Sequence, residues 1–242
     1  MIRLCEGALP LLPPDEAGVR IACLYRAYAG TGVVRCWSDG EGGVLCLMDG
    51  QAVLHTEALT SEWAIFIAMQ PEILTVRTDA PTAQALGEAL QGEVLCGEVM
   101  CAPERLMATA LVDSVTPREL YPVLQAGFGK AAPVFDAWYA DVMLRQRRGL
   151  CRCVCVRNET GAPAAVAMTV AEREDAALIG AVATHPDFRR RGYAGACVSA
   201  LSAQLQSEGK HVLLSPKNAA AASVYTGLGF TVCGTWGNFR KQ

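Results

Sequence analysis

The spacing of apolar positions changes along the chain, and each change marks an element. Residues 15–28 carry Val19, Cys23, Leu24 and Tyr28 at helical spacing, which predicts a helix. Residues 33–37 and 43–48 are apolar runs of strand length around Ser38-Asp39-Gly40-Glu41-Gly42, a hairpin composition. Residues 52–56 read as a third strand, and 61–69 as a short apolar helix capped by Thr60 or Ser61. A strand over 73–77, a helix over 81–90 with proline in its first turn, and a strand over 94–101 complete this half. Pro103, Glu104 and Arg105 then break the pattern. They set the expected boundary between domains 1–103 and 104–242.

The second half predicts a strand over 108–112, then helices over 117–127 and 134–148. The latter is amphipathic through Phe135, Trp138, Tyr139, Val142 and Met143. Strands over 150–156 and 164–171 flank the turn Asn158-Glu159-Thr160-Gly161. Residues 177–184 carry no charge, which suits a central strand. A long helix over 191–207 is closed by Gly209, and a strand over 211–215 stops before Pro216. An alanine-rich helix over 219–227 and a strand over 231–236 follow. The two halves thus share a similar order of elements, pointing to a degenerate internal duplication without a residue-level repeat. The fold class is α+β, a mixed sheet flanked by helices.

Composition narrows the function classes. Of 242 residues, 52% are hydrophobic and 19% charged, so the chain can bury enough surface to offset its ordering entropy. No apolar run reaches the roughly 18–20 residues needed to cross a bilayer. The apolar stretch 9–12 meets Pro13, Pro14, Asp15 and Glu16 directly, too soon for a secretory signal. A soluble cytoplasmic protein without a membrane partner is expected. A net charge of −3 gives no broad attraction to nucleic acid. The basic run 145–148 reads as a solvated helix end.

Eleven cysteines are present. Cys151, Cys153 and Cys155 alternate onto one strand face, and no C-x-x-C pair offers a zinc ribbon. Cys5, Cys23, Cys36, Cys46, Cys197 and Cys233 lie within apolar segments, and the expectation is of reduced, buried thiols. His55, His185 and His211 are far apart in sequence, so no metal site is expected.

The chemistry concentrates in residues 181–230. An apolar strand runs through Thr184-His185-Pro186-Asp187-Phe188 into Arg189-Arg190-Arg191-Gly192-Tyr193-Ala194-Gly195, and a helix follows. Glycines at a strand-to-helix turn let backbone N–H groups converge, and the helix N-terminus adds its positive dipole end. Such a concavity suits a pyrophosphate, with the arginines adding charge at its rim. A dinucleotide-binding reading fits less well, because Gly192-x-x-Gly195 lacks the full G-x-G-x-x-G. Further on stand Asn218, Tyr225 and Leu228-Gly229-Phe230.

In these features residues 108–241 resemble the GNAT superfamily of acyl-CoA N-acyltransferases. Arg189, Gly192 and Ala194 fit its R/Q-x-x-G-x-G/A loop, and Asn218, Tyr225 and Leu228-Gly229-Phe230 fit its second motif. The resemblance implies a sheet that splays between residues 177–184 and 211–215, with acetyl-CoA in the gap as cosubstrate. It assigns backbone groups of Val182, Ala183 and Thr184 to the pantetheine arm. The N–H groups of Arg190, Arg191, Gly192, Tyr193, Ala194 and Gly195 would hold the pyrophosphate. Asn218 would bond the pantetheine chain, and Tyr225 would protonate the leaving thiolate. Some relatives carry a glutamate base five residues before the asparagine, where this chain has Leu213. Glu172, Glu174 and Asp175 read as solvated loop charges, and neither His185 nor His211 is placed well enough to be the base.

Two functions follow. The leading one is acetyl transfer to an amine acceptor, a small molecule or a peptide, by direct attack in a ternary complex. The alternative is a non-catalytic acyl-CoA-binding sensor or scaffold. The helices over 117–148 and the last hairpin would build the acceptor pocket, with Trp138, Tyr139, Trp236 and Phe239 as candidate lining. Residues 1–103 carry no such loop, so the first of two tandem GNAT-like domains is expected to have no acyl-CoA site.

Overall fold

The computed structural model describes residues 1–242, which divide into two units: Met1–Val99 with Cys233–Gln242, and Met100–Val232. The first unit opens with β1 (Arg3–Leu4) and α1 (Glu16–Tyr28). Three strands follow, β2 (Arg35–Ser38), β3 (Val44–Met48) and β4 (Gln51–His55). Then come α2 (Ser61–Met69), β5 (Thr75–Thr78), α3 (Ala80–Leu90) and β6 (Glu93–Cys101), the last two residues of β6 belonging to the second unit. Neighbours from β1 to β4 pair antiparallel, and β4 pairs parallel with β5. Local chemistry sets the helix starts: Asp15, Thr60 and Asp79 each accept a hydrogen bond from the amide three residues on. Asp39 also accepts from the Glu41 and Gly43 amides and from Trp63 Nε1 at 2.8 Å, fixing the predicted hairpin against α2. Trp63, Ile67, Leu45, Leu54 and Leu86 fill the core beneath.

The second unit holds β7 (Asp113–Ser114), α4 (Pro117–Phe128), α5 (Phe135–Arg147), β8 (Cys153–Arg157) and β9 (Pro163–Glu172). It continues with β10 (Ala176–Thr184), α6 (Tyr193–Ser207), β11 (His211–Leu214) and α7 (Ala219–Gly227). Strands β7 to β10 pair antiparallel in sequence order, β10 pairs parallel with β11, and Leu213 and Leu214 of β11 face Cys101 and Met100. A capping box of Thr116 and Glu119 starts α4. Two cores sandwich this sheet, one containing Leu120, Leu124 and Val142, the other Val198, Leu201 and Leu205. The final strand, β12 (Thr231–Arg240), lays Gly237–Arg240 antiparallel on β5, within the first unit.

Several expectations change. The units meet between Val99 and Met100, a few residues before the expected 103, and the last ten residues group with the first unit rather than the second. No strand forms over 108–112. That segment is held instead by side chains of α6, with the Leu106 amide on Gln206 Oε1 at 2.8 Å and Thr109 bonded twice to Ser199. Arg145 is not part of a solvated helix end. It is buried, paired with Asp141, and donates to the Val170 carbonyl at 2.8 Å. None of the eleven cysteines is in a disulfide, and Cys151, Cys153 and Cys155 are buried as expected, but Cys96 and Cys233 are exposed.

Candidate functional site

The parallel register of β10 and β11 runs from Ala176↔His211 to Ile179↔Leu214 and stops there. Both strands carry a local reason to part. In β10 the pairing with β9 slips between Gly180 and Ala183, and Ala181 takes a left-handed φ of +47°. This β-bulge puts an extra residue into the strand, bending it and re-aiming its backbone groups. In β11, Pro216 follows Ser215 and offers no N–H to continue the ladder. From Gly180 on, β10 therefore has no partner in β11: Gly180, Ala183 and Thr184 pair with β9, and Val182 lies in the bulge. The result is a cleft between the two strands.

At the end of β10 a single 3-10 turn, Pro186–Phe188, leads into the arginine loop. Arg190 and Gly192 both have positive φ, +61° and +77°. Gly192 is the N-cap of α6 and lends it no side chain, so the first bond of the helix is the Ala196 amide to the Gly192 carbonyl at 3.0 Å. The amides of Arg190, Arg191, Gly192, Tyr193, Ala194 and Gly195 make no hydrogen bond within the protein. A Cβ on Gly192 would meet nothing within 4 Å, so glycine is needed there for its backbone angle and the free space beside it. Arg189 turns away from this rim. Its Nε lies 3.4 Å from the Thr184 carbonyl and Nη2 3.5 Å from that of Gly127, tying the end of β10 to the end of α4. The Arg191 guanidinium lies over the Phe188 ring, 5.4 Å from its centroid.

On α7, Asn218 is the N-cap, its Oδ1 accepting from the Ala221 amide at 2.9 Å, while its Nδ2 has no protein acceptor. Tyr225 is 7% exposed and shares an apolar cluster with Ile179, Leu214, Val182 and Tyr193. Its hydroxyl has no protein partner, and burial pushes its pKa up to about 12. The phenol is therefore fully protonated at neutral pH. Leu213 is buried between Leu178 and Cys101, so no carboxylate stands at that position. His211 lies at the closed end of the cleft, opposite Ala176, and His185 accepts from the Asp187 amide at 3.4 Å.

Glu172 is not a solvated charge. It is 1% exposed, held by Arg152 at 2.5 Å and Lys210 at 3.0 Å, with Thr169 bonded to its other oxygen. Of the candidate lining residues, Phe239 is fully buried in the core of the first unit, and Trp236 lies under the Arg77 guanidinium there. Trp138 and Tyr139 stay in the second unit, in an aromatic group with Tyr121 and Phe135. A cleft of about 400 Å³ lies beside Tyr139 at the N-terminus of α4, whose donors Thr116 already caps. Sequence reasoning missed Ser215, whose hydroxyl is buried without a partner just past the last β10–β11 pair. A polar residue closing an apolar strand before a proline was the available signal.

Residues 155–237 match the family model described as FR47-like protein. No curated protein sequence matches the chain. Among solved structures, a GCN5-related N-acetyltransferase from Sphaerobacter thermophilus aligns with a TM-score of 0.61 at 15% identity, over 99% of this chain and 95% of its own. One from Kribbella flavida gives 0.61 at 14% identity, over 82% and 86%. A tandem GNAT protein from the clavulanic acid biosynthesis pathway gives 0.58 at 16% identity, over 99% and 98%.

Proposed function

From a chain with an FR47-like domain in its C-terminal region and the fold of the GCN5-related N-acetyltransferases, we infer an acetyl-CoA-dependent N-acyltransferase acting on an amine. One observation carries this reading: six consecutive amides, Arg190 to Gly195, lack protein acceptors beside a cleft opened by a bulged strand. Such donors at a helix N-terminus suit a pyrophosphate. In this reading the unpaired edge of Val182, Ala183 and Thr184 receives the pantetheine arm, and Asn218 Nδ2 adds one bond. The reaction is direct. The neutral amine attacks the thioester carbonyl, an amide at the bulge stabilises the oxyanion, and the C–S bond breaks as the N–C bond persists. Tyr225 donates its phenolic hydrogen to the departing sulfur. A phenol made weakly acidic by burial keeps that hydrogen until sulfur gains charge. With Leu213 in the strand, the amine's proton leaves to water. Eleven cysteines without a disulfide suit a reducing cytoplasm.

The acceptor is an amine, small molecule or peptide, and a mass-spectrometric screen for acetyl gain would identify it. Gly192→Val tests the loop. The branched side chain disfavours the left-handed backbone and fills the space before the donors, so CoA affinity by calorimetry is expected to fall at least about tenfold. Equal affinity would move the site elsewhere. The absence of a carboxylate at Leu213 favours the second reading, a non-catalytic acyl-CoA binder. Thioester turnover above background with an amine panel separates the two.

A further inference from the structure

Five buried side-chain polar atoms in the protein have no hydrogen-bond partner, and Ser215 Oγ is one that stands at the cleft. A buried hydroxyl without a partner is destabilising, and its retention calls for a reason. Its place is specific. Ile179↔Leu214 is the last pair before β10 and β11 part, so Ser215 is the first residue of β11's continuation on the open side. Val212 and Leu214 belong to the apolar cluster that contains Tyr225. Strand alternation therefore turns Leu213, and after it Ser215, to the opposite face.

We propose that Ser215 is a positioning residue of the cleft, its hydroxyl turning to bond an amide of the acyl-pantetheine arm. The proposal rests on the acetyl-CoA reading above. A pantetheine arm carries amide N–H and C=O groups, and a hydroxyl can serve either as acceptor or as donor. A change between staggered χ1 wells is all that re-aims the oxygen, and serine has no further side-chain torsion to fix.

The test pairs Ser215→Ala with Ser202→Ala. Ser202, inside α6, is a second buried hydroxyl without a partner and does not border the cleft pairing. Both variants are expected to melt at or above the parent temperature, because each removes an unsatisfied group. Only Ser215→Ala is expected to weaken acetyl-CoA binding, by about 5- to 20-fold in calorimetry, the loss of one buried hydrogen bond. Equal losses in the two variants, or no loss in Ser215→Ala, would overturn the assignment. Unchanged acetyl-CoA affinity with a raised acceptor KM would also overturn it and give the hydroxyl to the amine. A parent protein that binds no acetyl-CoA would remove the underlying reading itself, which the variants alone cannot do.

Discussion

The two units run through the same pairing scheme with different endings. In each, a short strand pairs antiparallel with the first of three sequential strands, and the last of those pairs parallel with a strand beyond a helix. Helix α5 has no counterpart in the first unit. The informative difference lies at the helix after the third of those strands. In the first unit β4 has no positive φ, and α2 is capped by its own Thr60, which accepts from the Trp63 amide. In the second, β10 is bulged at Ala181, and α6 starts at a glycine that leaves its first amides without a protein acceptor. The same order of elements thus starts the helix with a side-chain cap in one unit and without one in the other. Beside β4 the first unit also places Arg77, opposite Val53, in a buried ion pair with Glu16. Burial alone would raise the Glu16 pKa, but Arg20 and Arg77 outweigh it and hold it low. The buried carboxylate is there held by a half-buried guanidinium of its own unit.

The largest effect that would sharpen this contrast is on stability alone. Arg77→Met strips a partner from buried Glu16 and is expected to cost about 3 kcal/mol in denaturant unfolding, with CoA affinity unchanged. A loss below about 1 kcal/mol would mean that Arg20 alone satisfies the carboxylate.

Tyr225→Phe reads the second unit in two ways. In single turnover, acetyl transfer is expected to slow about 10²-fold with CoA binding nearly intact. Equal rates would leave Tyr225 a packing residue. The same variant tests linkage. The folded pKa is raised to about 12 above an unfolded value near 10, so the unfolded state loses its proton first. The contribution of about 2–3 kcal/mol is complete below pH 10 and lost as pH rises toward 12. The parent should therefore lose stability over that window more steeply than Tyr225→Phe. Parallel curves would exclude the raised pKa.

The smallest expected effect is at the closed helix start. Thr60→Ala removes the cap of α2 and is expected to cost about 1 kcal/mol. No change would mean that the contrast between the two helix starts is not energetic.

Much of this was legible in the sequence because it is written locally. Asp15, Thr60 and Pro81 announce helix starts, Asp39-Gly40 a hairpin, and Gly192 a strand-to-helix turn, each within a few residues. What escaped depends on distant partners. Glu172 reads as a loop charge until Arg152 and Lys210 are seen to enclose it. Residues 108–112 have strand composition, yet Ser199 and Gln206 of α6 bind that neighbourhood. Nothing in the last ten residues says that they pair with β5. The candidate loop was read by its glycine spacing, while the bulge at Ala181 and the unpartnered Ser215 hydroxyl are properties of register.

The central proposal is that the uncapped start of α6 in the second unit takes acyl-CoA and that the first unit has no such site. Isothermal titration of the full chain with CoA tests it most directly. One equivalent per chain, abolished or weakened at least about tenfold by Gly192→Val, is the result this account requires. Two equivalents per chain, or one that survives Gly192→Val unchanged, would contradict it.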